Sequence, residues 1–147
     1  ITKVAAEYTD EHFALYRMYQ QVRHTHSSMD SDDPDQYNSF LFGRVATTEV
    51  YEFRLEVAGS KKQLLAVAII DKLDDGLSAV YTFFDPSESR RALGVYTVLY
   101  EIELARTLGL SHVYLGYYIA ESRKMNYKIN YQPTEGFDGK DWKILNR

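Results

Sequence analysis

Residues 76–119 read GLSAVYTFFDPSESRRALGVYTVLYEIELARTLGLSHVYLGYYI. Leu77 to Phe84 is rich in aromatic and β-branched residues, as a strand requires, and a polar loop from Asp85 to Arg91 follows it. Leu93, Tyr96, Leu99, Ile102, Ala105 and Leu108 then mark a helix that Gly109 brings to a stop. His112 to Ile119 predicts a further strand beyond a short connection. A helix between two strands is the unit of an α/β layout. Upstream, Leu64 to Ile70 is an unbroken apolar run, and Asp74, Asp75 and Gly76 form a hairpin turn from it into Leu77. These two runs are expected to be the central strands of an antiparallel meander.

Tyr51, Phe53, Leu55 and Val57 alternate with Glu52, Arg54 and Glu56, the period of a half-buried strand, and a turn at 58–62 follows. Ahead of it, Thr9 or Asp10 can cap a helix running to about Arg23, with Phe13, Tyr16, Tyr19 and Val22 on one side and Gln20 and His24 on another. Asp33 before Pro34, with Gln36 three residues after the aspartate, starts a short second helix that holds Tyr37, Phe40 and Leu41. The expected fold is α/β, a mixed and mostly antiparallel sheet flanked by helices. At 147 residues and 45% hydrophobic, the chain has the size of one domain with one core, 1–147.

With no cysteine, a disulfide framework, a thiolate metal site and a cysteine nucleophile are all excluded. No apolar run approaches the roughly 18 residues needed to cross a bilayer, and Ile1 to Asp10 lacks the pattern of a signal peptide. A soluble cytoplasmic protein without membrane partners is the simplest expectation. The net charge of −4 disfavours a grip on many phosphates. Its distribution is uneven, however. Phe13 to Ser28 holds two arginines and two histidines without a carboxylate, while acidic residues gather at Asp30 to Asp35 and at Asp71 to Asp75. Local positive potential thus coexists with an acidic whole.

Site chemistry concentrates in LGYYIAESRKMNYK, Leu115 to Lys128, where Arg123, Lys124 and Lys128 accompany Tyr117, Tyr118 and Tyr127 past the end of a strand. Cations and phenol hydroxyls there can hold an anion and steady a developing oxyanion. On residue types alone, packed tyrosines and solvated lysines are the commoner arrangement. Tyr127 and Lys128 lie in an alternating stretch, so they are expected on opposite sides of a strand. The histidines and carboxylates show no convincing metal spacing, and no metal or cofactor is expected.

Three segments together carry a resemblance. LYRMYQQVRHTHSSM contributes Tyr16, Tyr19, Gln20, His24 and Met29, the stretch from Gly76 to Leu110 runs into HVYLGYYI, and KMNYK closes the series. In this order they resemble the C-terminal catalytic domain of the aminoacyl-tRNA–protein transferases, over most of the chain between Tyr16 and Pro133. The resemblance implies a GNAT-like acyltransferase fold. It also implies transfer of an aminoacyl group from aminoacyl-tRNA, held by its 3′ end, to the N-terminal amine of proteins that begin with Asp or Glu, a step of N-degron protein degradation. Leucine is the favoured donor, because the Arg23–His24 pair followed by Met29 looks like bacterial leucyl-transferring members; arginine stays open. His24 and Tyr117 are the candidate catalytic groups. Tyr19, Gln20, Arg23, Arg91, Tyr118, Lys124, Tyr127 and Lys128 are the candidate substrate-binding ones.

Two departures stand beside it. Family members usually carry an N-terminal region with clustered cysteines that is missing here, and the chain opens on Ile1, so it is expected to be part of a longer enzyme. Ser122 stands where members often have a cysteine. Two other readings compete. Arg91 to Tyr96 is a degenerate match to the Q/RxxGxG/A pattern of coenzyme A dependent N-acetyltransferases, with Tyr96 where glycine or alanine belongs. A non-catalytic module that binds acidic N-termini is the other.

Overall fold

The computed structural model describes residues 1–23, 33–42, 47–56, 58–59 and 61–146. They form two compact units, Ile1–Tyr114 and Leu115–Arg147. The first is built on a five-stranded sheet of β1 (Thr2–Val4), β2 (Thr47–Leu55), β3 (Gln63–Lys72), β4 (Gly76–Phe84) and β5 (His112–Tyr114), adjacent in that order. Neighbours pair antiparallel except β4 and β5, which are parallel across the connecting helix α3 (Leu93–Thr107). The chain is therefore α/β with a mixed sheet, as the strand–helix–strand reading requires.

Local signals place the helices where the sequence predicts them. Thr9 Oγ1 accepts the His12 amide at 3.1 Å and so caps α1 (Asp10–Arg23). Asp33 Oδ1 does the same for the Asp35 amide at 2.9 Å at the start of α2 (Pro34–Phe42). The Asp74–Asp75 turn joins β3 to β4, with the Leu73 amide donating to the Gly76 carbonyl at 2.9 Å. α1 and α2 supply Leu15, Tyr16, Tyr37 and Leu41 to a core with Val50, Val67, Ile69 and Phe83. On the opposite alternation of the same strands, Tyr51, Phe53, Ala66, Ala68, Ile70 and Leu77 pack with Ala105 of α3.

Several expectations are corrected here. β2 is not half-buried, because helices cover both its faces. Its polar residues meet α1 instead of water: Glu52 accepts from His12 Nε2 at 2.7 Å and from Arg54 Nε at 2.6 Å, while Arg54 Nη2 reaches Glu11 at 2.7 Å. Paired chiefly with Arg54, the Glu52 carboxyl is held below the usual carboxylate range. On α1, Val22 is exposed whereas His12 and Gln20 are buried. On α3 the sheet covers Leu93, Thr97, Val98, Glu101 and Ala105, so most of the apolar series that marks this helix in the sequence faces outward. β5 stops at Tyr114 instead of continuing to Ile119. β1, three residues paired to β2, carries no legible signal of its own.

Gly76 lets β5 approach. A Cβ there would lie 2.7 Å from the His112 carbonyl oxygen and 2.8 Å from Cε2 of Tyr114, whose hydroxyl donates to Asp75 at 2.8 Å. Overpacking against backbone typically costs 1–3 kcal/mol, so Gly76→Ala is expected to lower the melting temperature by roughly 2–10 °C. An unchanged melting temperature in a calorimetric scan would count against this account of the β4–β5 contact.

The second unit contains a 3-10 helix, Asn126–Asn130, and a hairpin of β6 (Thr134–Phe137) and β7 (Trp142–Leu145). Tyr127 and Lys128 thus lie on a tight helical turn and not on a strand. No helix among the described residues is long and apolar enough to cross a membrane.

Candidate functional site

The candidate residues gather in two clusters, one in each unit. In the first, the end of α1 meets the end of β4. Tyr19 packs edge-on against Phe84 at 4.9 Å between ring centroids, and the Arg23 guanidinium lies 5.7 Å from the centroid of the same ring. Gln20 is buried, and its Nε2 donates to the Tyr81 hydroxyl at 3.0 Å. Burial raises the pKa of Tyr19, partly offset by the charge of Arg23. Burial likewise pushes Tyr81 up, with Tyr19 and Tyr16 beside it. Both phenols stay protonated donors at neutral pH. Tyr81 and Phe84 were not singled out from the sequence. Strand aromatics announce packing, and only the folded chain shows that these two carry Gln20 and Arg23.

Phe84 also touches the start of α3, where a Cβ on Gly94 would be 3.2 Å from its ring. No side chain caps that helix, and Ala92 before it takes a left-handed conformation with φ of 47°. Arg91 is exposed and its Nε donates to Glu88 at 2.7 Å. It borders a hollow of about 300 Å³ with Phe53, Leu55, Leu93 and Tyr96. The Tyr96 ring stands edge-on to Phe53 at 5.8 Å, forming part of that wall. His24 lies outside the described residues.

In the second unit Tyr117 is 85% exposed, whereas Lys128 is buried at 9%. The Lys128 ammonium donates to the Tyr117 backbone carbonyl, so it braces the turn that presents Tyr117. Burial lowers its pKa. Gly116, at φ of 76°, supplies the left-handed residue that this turn needs beside the ammonium. Lys124 and Arg123 are exposed on the preceding turn. Tyr127 meets Tyr131 edge-on at 6.3 Å. Tyr118 lines a separate hollow of about 450 Å³ with Asn126, Asn130 and Asn146, three amides that the sequence reading passed over.

The family profile described as "Arginine-tRNA-protein transferase, C terminus" matches residues 11–138. The chain belongs to this family. Among its relatives, the aspartate/glutamate leucyltransferase of Chromobacterium violaceum is 49% identical over 135 residues, 92% of this chain and 54% of that one. Those of Thiobacillus denitrificans and Nitrosococcus oceani are 48% and 47% identical, each over 95% of this chain and 56% and 57% of their own length. The chain thus spans about half the length of the curated relatives it matches. The transferase C-terminal match takes in both clusters, from Tyr19 to Lys128.

Proposed function

We propose that this chain is the acceptor- and donor-handling half of an aminoacyl-tRNA–protein transferase. It moves a leucyl group from leucyl-tRNA to the α-amine of proteins beginning with Asp or Glu, as part of a cytoplasmic N-degron pathway. The observation that carries the reading is the match of residues 11–138 to the transferase family, with leucyltransferase relatives such as those 47–49% identical. The same reading takes residues 1–147 as one GNAT-like domain, consistent with the β4–α3–β5 unit.

The reaction is an aminolysis. The neutral α-amine attacks the ester carbonyl, a C–N bond forms, the C–O bond to the ribose breaks, and the ribose oxygen takes up a proton. The ester is already activated, so positioning the two substrates contributes more than strong acid–base chemistry. An α-amine with a pKa of about 7.7–8.0 needs only a mild base, a role we assign to His24, with the exposed Tyr117 hydroxyl as a donor to the developing oxyanion. Arg91, beside the uncapped start of α3, is assigned to a phosphate of the tRNA end. Tyr118 and Tyr127 are assigned to the terminal adenosine, and Tyr19 and Gln20 to holding Arg23 in place.

The test exchanges this chain for the matched half of the Chromobacterium violaceum relative. The resulting chimera is incubated with leucyl- or arginyl-tRNA and a peptide beginning with aspartate. A product heavier by one leucyl residue is expected; a folded chimera that gives no product with either tRNA sinks the proposal. With a net charge of −4, the isolated chain is expected to bind tRNA weakly and to lose affinity steeply with salt.

Of the two lysines near Tyr127, Lys124 is exposed whereas Lys128 is buried on the Tyr117 carbonyl, so we assign Lys124 to the acidic first residue. Lys124→Glu is expected to weaken transfer to aspartate-initial peptides about tenfold relative to neutral-initial ones, equivalent to about 1.4 kcal/mol of differential binding. Equal losses of kcat/KM for both peptides would move acceptor recognition to Arg23.

A further inference from the structure

α3 exposes apolar side chains as well as burying them. Toward the sheet it buries Leu93, Val98 and Ala105, but also Thr97 and Glu101. On its exposed side it carries Val95, Leu99 and Ile102, exposed at 49, 51 and 39%, with the half-exposed Tyr96 packed on Phe53 at their border and the Glu103–Arg106 ion pair on the same side. Val95, Leu99 and Ile102 make an apolar patch on the N-terminal part of the helix, and it adjoins the hollow walled by Ile1, Leu55, Leu93 and Tyr96. Exposed apolar patches of this kind mark a surface that another protein surface covers. The helix turns Glu101 inward, while Val95, Leu99 and Ile102 face outward together with Glu103.

The geometry points to the outer patch of α3 as the docking face for the region that the relatives carry outside the matched half. Each of those relatives has more than two-fifths of its length beyond the match, since only 54–57% of it is covered. A region of that size has its own core, and an interface between it and this half needs apolar surface on both. The occupant is a protein face with apolar side chains opposite Val95, Leu99 and Ile102 and an acceptor for the Tyr96 hydroxyl. A second exposed apolar group, Phe137, Trp142 and Ile144 on the β6–β7 hairpin, is the competing location.

The chain has no cysteine, so Leu99→Cys introduces a single thiol whose alkylation rate reports cover over the patch. The rate is measured in the 147-residue chain and in the chimera with the Chromobacterium relative, reading the label at position 99 by peptide mass. Labelling roughly tenfold slower in the chimera is expected, with Phe137→Cys equally fast in both. Equal rates at position 99, or protection at position 137 alone, overturn the inference. Protection in the short chain that grows with its concentration overturns it too, because a second copy is then the occupant. As a separate reading, Val95→Ser, Leu99→Ser and Ile102→Ser combined should leave the melting temperature of the short chain unchanged and lower that of the chimera; a loss in the short chain overturns the inference, since the patch would then belong to its own core. The inference rests on family membership and not on turnover, so an inactive chimera with a protected position 99 leaves it standing while the transfer reading falls.

Discussion

Glu101→Gln is expected to raise the melting temperature strongly at pH 8 and only slightly at pH 5. Glu101 is 1% exposed on the sheet side of α3, and neither carboxylate oxygen has a hydrogen-bond partner among the described residues. Burial pushes its pKa up to about 8 from an ordinary value of 4.5. Between those two values the native chain holds a proton that the unfolded chain has released. Stability therefore falls as pH rises, by about 1.4 kcal/mol per pH unit, and levels off above the folded-state pKa. From pH 5 to pH 8 the loss is on the order of 3 kcal/mol, or roughly 6–12 °C for a domain of this size. Glutamine keeps the shape and cannot ionise, so it removes this loss and leaves unrelated titrations common to both proteins. A gain in melting temperature that is the same at both pH values would show that Glu101 does not titrate between them.

Lys128→Glu is expected to unfold the second unit. The wild-type ammonium is buried and donates to the Tyr117 carbonyl. A carboxylate in its place would face that carbonyl with no proton between the two oxygens. An unpaired buried charge costs several kcal/mol, comparable with the stability of the unit that holds it. Lys128→Met keeps the aliphatic packing and loses only the hydrogen bond, so its expected loss is about 1–3 kcal/mol. Hydrogen exchange over residues 115–131 separates the cases: near-complete loss of protection for the glutamate variant and partial loss for the methionine variant. Native-like protection in Lys128→Glu would mean that the side chain swings to solvent, which would restore Lys128 as a cation able to meet substrate.

Both expectations concern polar groups that an apolar pattern does not place. In the sequence, Glu101 sits among charged residues of a helix, and Lys128 belongs to a cation-rich turn that invites an anion. Their burial follows from which side of α3 lies on Ala66 and Ala68, and from the chain curling into a 3-10 helix after Met125. The same holds within the candidate site. Tyr19, Gln20 and Arg23 are close along α1, but Tyr81 and Phe84, which they contact, lie some sixty residues away.

The amino-acid order alone determined a cap at Thr9 or Asp10 and another at Asp33, the Asp74–Asp75–Gly76 hairpin, the span of α3 and its stop at Gly109, and hence the α/β class with a mixed sheet. These features rest on contacts between residues two to four apart, whose geometry the backbone dictates wherever they occur. Tertiary structure decided which face of α3 is covered, that β2 is enclosed on both sides, that β1 joins the sheet edge and that β5 ends at Tyr114. Those outcomes depend on partners far along the chain, where small differences in packing outweigh local pattern.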